Sequence, residues 1–364
     1  MKRTKVLFIL PSLQAGGAER VISFVAKHLN SNKYAVKLVV LGHKKDSKYD
    51  IDGLDVVFIG KDRLSKSIWS VLRIILRFKP EIVLGTIVHV NIMLGFLAFF
   101  FRRIKFIGRE ASVVSNMLVF SRINLKKHKI LVSVFYPNLS AIICQSGDIL
   151  LDLSNNFGIN SKLLRIINNP ITRTTPLKLE TRNSRIKHFL TIGRLSREKG
   201  HQRILASLAQ IKNYEFHYII IGDGPEKDNL IQFIEENNMK QHVTMLDYSS
   251  DVFSFIDKSD FYLQGSYVEG FPNALLESIS SGVPAMVYNS PGGTRDIIIQ
   301  GVNGIIVETQ EEFTEMLIRI PELKLSPRRL IQETVSAKFS ADKIIADFDL
   351  LFNDILLNQY NSLL

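Results

Sequence analysis

Short, mostly apolar runs that recur along the whole chain are the feature that most narrows its possible folds. They fall at residues 6–10, 36–41, 56–59, 82–85, 105–108 and 141–146, and again at 188–192, 216–221, 243–246, 261–263, 285–288 and 305–307. Runs of three to six residues are too short for helices, and apolar side chains at successive positions mean burial on both faces. Parallel strands covered by helices meet that condition. Helical patterns separate many of the runs, as at 67–79 and from His201 onward. The β-α-β order predicts an α/β fold of doubly wound parallel sheets.

At 364 residues the chain is long for one domain and sufficient for two separate cores. A polar stretch poor in large apolar residues marks the join. The expected division is residues 1–171, a linker at 172–187, a second domain at 188–339 and a closing helix at 340–364. That last segment places Ile344, Phe348, Leu351, Phe352 and Ile355 on one side of a helix.

Composition excludes several classes. The single Cys144 rules out an intrachain disulfide and fits a reducing cytoplasm. Residues 1–10 imitate a secretion signal, but Pro11, Gly16, Gly17, Glu19 and Arg20 interrupt it, so a first strand is expected. The most apolar segment, 92–101, is half the length of a membrane span, which predicts a buried or interfacial helix. Charge is uneven: residues 1–170 hold 26 of the 46 Lys and Arg but 10 of the 35 Asp and Glu, +16 against −5 for the rest. The basic patch at 122–129, with Lys126, Lys127, His128 and Lys129, precedes the apolar and aromatic stretch 130–136 that ends in Phe135 and Tyr136. No nucleic-acid module accompanies it, so an anionic membrane surface is the expected partner rather than nucleic acid.

Chemistry concentrates in Gly265-Ser-Tyr-Val-Glu-Gly-Phe-Pro-Asn-Ala-Leu-Leu-Glu277 and the following Ser-Gly-Val-Pro284. A strand ends in a glycine-bearing loop carrying Glu269. Pro272 suits the first helical position, and Gly282 and Pro284 suit the end. Such a helix directs free N–H groups near Asn273 toward a phosphate, with Asn273 and Glu277 on one face. A second loop, Gly193-Arg-Leu-Ser-Arg-Glu-Lys-Gly200, supplies cations at another strand end, and Gly222-Asp-Gly-Pro225 follows a third strand.

On these motifs the chain resembles the retaining glycosyltransferases of family 4, most strongly over residues 191–307. The resemblance implies the GT-B fold: two Rossmann-like domains facing across a cleft, with the C-terminal helix crossing back to the first. It implies that Arg194 and Lys199 hold the nucleotide diphosphate, Glu269 touches the donor sugar and Glu277 the ribose hydroxyls. Gly270, Phe271, Pro272 and Asn273 would complete the donor site, with Gly222 and Gly224 shaping the nucleotide pocket and the loop 248–252 near the base. In the first half Gly16 and Gly17 would face the donor, Glu110 would be catalytic, and Asn91 and Arg109 would lie on the acceptor side. Plain turns at 16–17 and 222–225, and a solvated salt bridge at Glu110, are the other readings of those residues. The implied substrates are a nucleotide sugar, UDP-linked hexose or N-acetylhexosamine, and a glycolipid or oligosaccharide acceptor in cell-surface polysaccharide assembly. No cofactor or metal is expected: Asp347 and Asp349 imitate a metal-binding pair but stand at i and i+2 of a helix, where they do not face each other. The implied location is cytoplasmic, peripheral on the inner membrane face. A sugar-nucleotide epimerase of the same fold, or a non-catalytic partner of another transferase, is the alternative.

Overall fold

The computed structural model describes residues 2–361 except 15, 62, 121–124, 174–184, 248, 250 and 325. Most of the expected linker, part of the loop 248–252, the start of the basic patch and the Lys126 side chain thus lie outside the described residues. The chain forms two compact units, Met1–Thr172 with Ala341–Leu364, and Arg173–Ser340.

Unit one runs β1 (Thr4–Leu10), α1 (Gly17–His28), β2 (Tyr34–Val40), β3 (Asp55–Phe58), α2 (Leu64–Phe78), β4 (Ile82–Thr86), α3 (Val88–Phe100), β5 (Lys105–Glu110), α4 (Val114–Phe120), α5 (Leu125–Phe135), β6 (Ala141–Cys144), α6 (Gly147–Phe157) and β7 (Leu164–Ile166). Its seven strands are ordered β3-β2-β1-β4-β5-β6-β7 and are all parallel. Successive strand residues face opposite sides, which explains the unbroken apolar runs. Val6, Phe8, Leu10 and Leu84 pack in one core with α1, whereas Gly85, the next residue along β4, lies against Val90 and Leu94 of α3. On that second face α2, α3, α5 and α6 pack side by side.

The last helix, α14 (Ala341–Asn361), belongs to this unit. Its Ile344, Phe348, Leu351, Phe352 and Ile355 complete the core under α1. Asp349 bonds Lys33 Nζ at 2.6 Å and accepts from Tyr34 Oη at 2.7 Å, while Asp347 pairs with Lys343 one turn back. Both carboxylates therefore have structural partners. No described helix is long and apolar enough to cross a membrane.

Unit two runs β8 (Lys187–Ile192), α7 (His201–Leu208), β9 (Phe216–Ile221), α8 (Lys227–Glu236), β10 (Val243–Leu246), α9 (Val252–Ile256), β11 (Phe261–Gln264), α10 (Asn273–Ser280), β12 (Ala285–Tyr288), α11 (Thr294–Ile297), β13 (Gly304–Val307), α12 (Gln310–Ile318) and α13 (Arg328–Ser336). Its six parallel strands are ordered β10-β9-β8-β11-β12-β13. Helix α10 stops where expected: the Gly282 N–H donates to the Ile279 carbonyl and that of Val283 to Ser278, both at 2.9 Å. Its start differs from expectation. Pro272 has ψ 90°, outside the helical region, so it caps the helix and Asn273 is the first helical residue.

Candidate functional site

In unit two the loops that follow β8 and β11 close on each other. A Cβ on Gly200 would lie 1.9 Å from the Gly265 carbonyl oxygen, and one on Gly265 would lie 2.3 Å from that of Gly200. Neither position can carry a side chain unless the loops separate. That backbone contact brings Lys199 and Glu269 together. The ammonium stands 2.7 Å from both carboxylate oxygens, and Ser266 Oγ donates to the same carboxylate at 2.5 Å. The Glu269 side chain is 8% exposed and that of Lys199 29%. The carboxylate is thus held in place while the cation remains reachable from solvent. A lysine so placed can exchange a carboxylate for an incoming phosphate without a change in its charge.

Three further groups hold these loops. Gly222 and Gly224 lie under the β8 loop, where a Cβ would fall 1.9 Å from the Gly193 oxygen and 2.4 Å from that of Leu195. Their need for glycine is explained by loop packing. His201, buried at the start of α7, donates from Nε2 to the Arg194 carbonyl at 3.0 Å. Burial lowers its pKa to about 4, so the ring is neutral and keeps this tautomer. Arg203 donates from Nε to the Gly265 carbonyl at 2.6 Å and from Nη2 to that of Ser266. Its guanidinium lies 3.9 Å from the Tyr267 ring centre and 3.5 Å from that of Tyr288, a cation–π clamp on the loop that carries Glu269.

Beyond Glu269 the chain is packed tightly. The Glu269 N–H donates to the Pro291 carbonyl at 2.8 Å, and the Gly270 carbonyl accepts from Gly293 at 2.9 Å. The Phe271 ring lies 5.4 Å from that of Phe339. Glu277 is buried in the second turn of α10, 4% exposed. Arg194 is exposed at the other end of the β8 loop.

Unit one gathers a second set of the expected residues, and these are closed from solvent. Glu110 and Arg109, the last residues of β5, are 0% and 1% exposed, which excludes a solvated salt bridge. Asn91 on α3 donates from Nδ2 to Glu110 Oε1 at 2.5 Å and to the Arg109 carbonyl at 3.0 Å. Tyr136 Oη donates to the same Glu110 oxygen. Tyr136, expected on a membrane-facing surface with Phe135, is instead fully buried, because its hydroxyl has this internal acceptor. Burial raises the Glu110 pKa to about 7 against the lowering effect of the Tyr136 and Asn91 bonds. Arg109 donates to Asn169 Oδ1 at 2.5 Å, and burial lowers its pKa to about 9, opposed by Glu19 and Glu110. Gly16 and Gly17 stand at the start of α1. A Cβ on Gly16 would lie 2.2 Å from Glu19 Oε2, and the Gly16 carbonyl accepts from Tyr49 Oη at 2.7 Å.

Comparison with known proteins agrees with both units. The pattern of Glycosyltransferase Family 4 matches residues 15–174, and that of Glycosyl transferases group 1 matches residues 178–336. The chain belongs to the family 4 glycosyltransferases. The transferase is 27% identical over 321 residues to the N-acetylgalactosamine-N,N'-diacetylbacillosaminyl-diphospho-undecaprenol 4-alpha-N-acetylgalactosaminyltransferase of Campylobacter jejuni, covering 85% of this chain and 87% of that one. Among solved structures, the lipopolysaccharide outer core galactosyltransferase WaaB superposes with a TM-score of 0.77 at 21% identity, over 98% of this chain and 100% of that one. A HepE protein of Anabaena in complex with UDP-glucose does so with 0.80 at 18%, over 97% and 100%. These likenesses establish the GT-B fold.

Of the residues expected in the transferase's site, Lys199 and Glu269 are in direct contact, Gly270, Phe271, Pro272, Asn273 and Glu277 follow on the same segment, and Gly222 and Gly224 support the facing loop. Asn91, Arg109 and Glu110 form their own cluster in unit one. Arg203, His201 and Ser266 were not anticipated. Ser266 alone carried a local signal, a hydroxyl three residues before Glu269. Among the described residues no group of three or more His, Cys, Asp and Glu is placed to hold a metal ion.

Proposed function

We propose that the transferase is a retaining enzyme that moves a hexose or N-acetylhexosamine from a UDP-sugar to a lipid-linked glycan, in assembly of a cell-surface polysaccharide at the inner face of the membrane. The observation that carries this reading is the Lys199 ammonium shared by both Glu269 oxygens on two glycine-packed loops. A donor diphosphate takes Lys199 and Arg194, and this frees Glu269 for the sugar. As the bond from the anomeric carbon to the phosphate oxygen breaks, its electron pair stays on the nucleoside diphosphate. An acceptor hydroxyl oxygen bonds the same carbon on the face just vacated, and the hydroxyl proton passes to a phosphate oxygen of the leaving group. Cations and N–H groups already in place stabilise the charge that grows on the diphosphate, and no metal is needed for that task. Glu277 is assigned to the ribose, whereas Glu110, expected to be catalytic, is closed from solvent with Asn91 and Arg109, and the three are assigned to positioning the end of β5 rather than to contact with the acceptor.

Support for the substrate class comes from relatives: the Campylobacter enzyme's name specifies a diphospho-undecaprenol acceptor, and the HepE structure holds UDP-glucose. Thermal melting with a panel of nucleotide sugars tests the donor, because a ligand of the folded state raises the midpoint. A UDP-sugar should stabilise the wild type and do so far less in Lys199→Ala. Stabilisation by no nucleotide sugar, or equal stabilisation of both proteins, would refute the donor site.

A further inference from the structure

In unit two the chain winds outward from β8 through β9 and β10 on one side, and from β11 through β12 and β13 on the other. The strand order thus reverses between β8 and β11, and open parallel sheets take ligands in the crevice at such a place. Pairing is uneven there. β8 pairs with β9 along its whole length, but with β11 only at Phe189 with Phe261 and Leu190 with Tyr262. That ladder ends short of Ile192 and Gln264, the last residues of the two strands. Beyond it two side chains bridge the crevice. Thr191 Oγ1 donates to the Leu263 carbonyl at 2.6 Å, and Tyr262 Oη donates to the Ile192 carbonyl at 3.2 Å.

These two bonds lie on opposite faces of the sheet, since Tyr262 is level with Leu190 and Thr191 is the next residue along. Both side chains are buried. An apolar residue would fill either place without the cost of burying a hydroxyl, so the bonds themselves are what Thr191 and Tyr262 contribute. Tyr218 Oη donates to Thr191 Oγ1 at 2.7 Å and fixes its rotamer from the β9 side. Burial, with Glu269 and Glu277 close by, raises the Tyr262 pKa, and the phenol remains a donor. Directly above, Gly193 borders open space: beyond its chain neighbours no described atom lies within 4 Å of where its Cβ would be. The loops then meet again, where the Tyr267 N–H donates to the Glu198 carbonyl at 2.8 Å, beside Lys199 and two residues before Glu269.

We propose that Thr191 and Tyr262 are positioning residues whose hydroxyls set the width of the β8–β11 crevice, and with it the spacing of Lys199 from Glu269, a role in transfer that rests on the donor site proposed above. The backbone ladder cannot set this width, because it stops before the loops begin. Without the two bonds the strand ends are free to splay. The cations that take the diphosphate stand on the β8 loop and the carboxylate that takes the sugar on the β11 loop, so splaying moves the sugar's contact away from the leaving group. Neither hydroxyl touches the substrate in this arrangement; each acts through the backbone carbonyl it holds.

Two measurements on the full chain test this. Hydrogen exchange of the Tyr267 amide reads the contact between the loops without any substrate, since that amide is protected by Glu198 across the gap. It should exchange about tenfold faster in Thr191→Val and in Tyr262→Phe. The kcat for transfer from a UDP-sugar, taken well below the melting midpoint, should fall about tenfold in each and about a hundredfold in the pair, and Thr191→Ser should restore both readouts. Tyr262→Phe strands no hydroxyl, whereas Thr191→Val leaves that of Tyr218 without its acceptor, so Tyr262→Phe decides the matter if the other variant does not fold. Tyr214→Phe removes a like bond, to the Leu317 carbonyl at 2.6 Å, and should match the wild type in exchange and kcat. A merely structural role would lower the melting midpoint and leave exchange and kcat at wild-type values, which would overturn the proposal. So would faster exchange with wild-type kcat, or equal changes in Tyr214→Phe. If the wild type transfers from no nucleotide sugar while Tyr267 exchange responds as expected, the functional reading fails and the hold of Thr191 and Tyr262 on the loops stands.

Discussion

Each unit contains a basic residue and a glutamate close together, and the two pairs behave differently. Lys199 and Glu269 come from loops 70 residues apart and touch directly. Arg109 and Glu110 are neighbours in sequence, yet Glu110 bonds Asn91 and Tyr136 while Arg109 bonds Asn169 and Thr86. Consecutive residues of a strand point to opposite faces of the sheet, so adjacency in β5 keeps these two apart. A reachable cation on a held carboxylate can change partners. A carboxyl enclosed among neutral donors can only gain or lose a proton.

The partner-exchange idea breaks first at Lys199. Lys199→Ala and Glu269→Ala should each lower the initial rate of transfer by on the order of a hundredfold or more, with the melting midpoint of Lys199→Ala the closer to wild type because its side chain is partly exposed whereas that of Glu269 is buried. Lys199→Ala should also raise the donor KM. Wild-type turnover in Lys199→Ala would remove the diphosphate assignment.

Arg203 sharpens the same half of the comparison, since it acts on Glu269 only through the loop. Arg203→Ala should lower kcat about tenfold to a hundredfold, as a misplaced catalytic group does, and destabilise unit two by about 1–3 kcal/mol through two unsatisfied carbonyls. Arg203→Lys keeps the charge and loses the two-pronged contact, so it should recover stability better than rate. If both variants melt and turn over like wild type, the clamp has no role in positioning Glu269.

How much of this was readable in advance follows from how local each interaction is. Strands such as β1 were legible because burial on both faces leaves no polar residue in Val6 to Leu10. Loop glycines, Lys199 and Glu269 were legible because strand ends, turns and helix starts have residue signatures within a few positions. Arg203 was not: its partners are carbonyls 62 and 63 residues away and two tyrosines. Tyr136 was misread as surface because it follows a basic, apolar helix, and its acceptor lies 26 residues back. Pro272 fitted the first helical turn by type, and only its ψ places it outside.

The two units should also answer pH with opposite sign. Glu110, raised from 4.5 to about 7, keeps in the folded state a proton that the unfolded chain has released. Its contribution therefore falls as pH rises from about 4.5 to about 7, by roughly 3 kcal/mol. His201, lowered from 6.5 to about 4, stays neutral when folded while the unfolded chain binds a proton. Its contribution rises over about pH 4 to 6.5 by a similar amount, so the two offset in the wild type. Melting of Glu110→Gln from pH 5 to 6.5 should reveal the rising slope, and His201→Gln the falling one. Parallel profiles for wild type and Glu110→Gln would show that Glu110 ionises alike in both states.

The smallest effect is expected where the sequence imitates a metal site. Asp349 anchors α14 through Lys33 and Tyr34, and these bonds lower its pKa against the opposing effect of burial. Its side chain is a third exposed, and pairs of that kind contribute up to about 1 kcal/mol. Asp349→Asn should therefore lower the melting point slightly, and Asp347→Asn, which loses only the Lys343 contact, less still. Neither should change the rate of transfer, because these carboxylates serve the helix and the diphosphate is assigned to Arg194 and Lys199. Transfer in excess EDTA extends the test from two residues to the whole site. Activity that vanishes in chelator and returns with a divalent cation would mean that the protein's own cations do not suffice for the leaving group, and the Lys199 exchange would need revision.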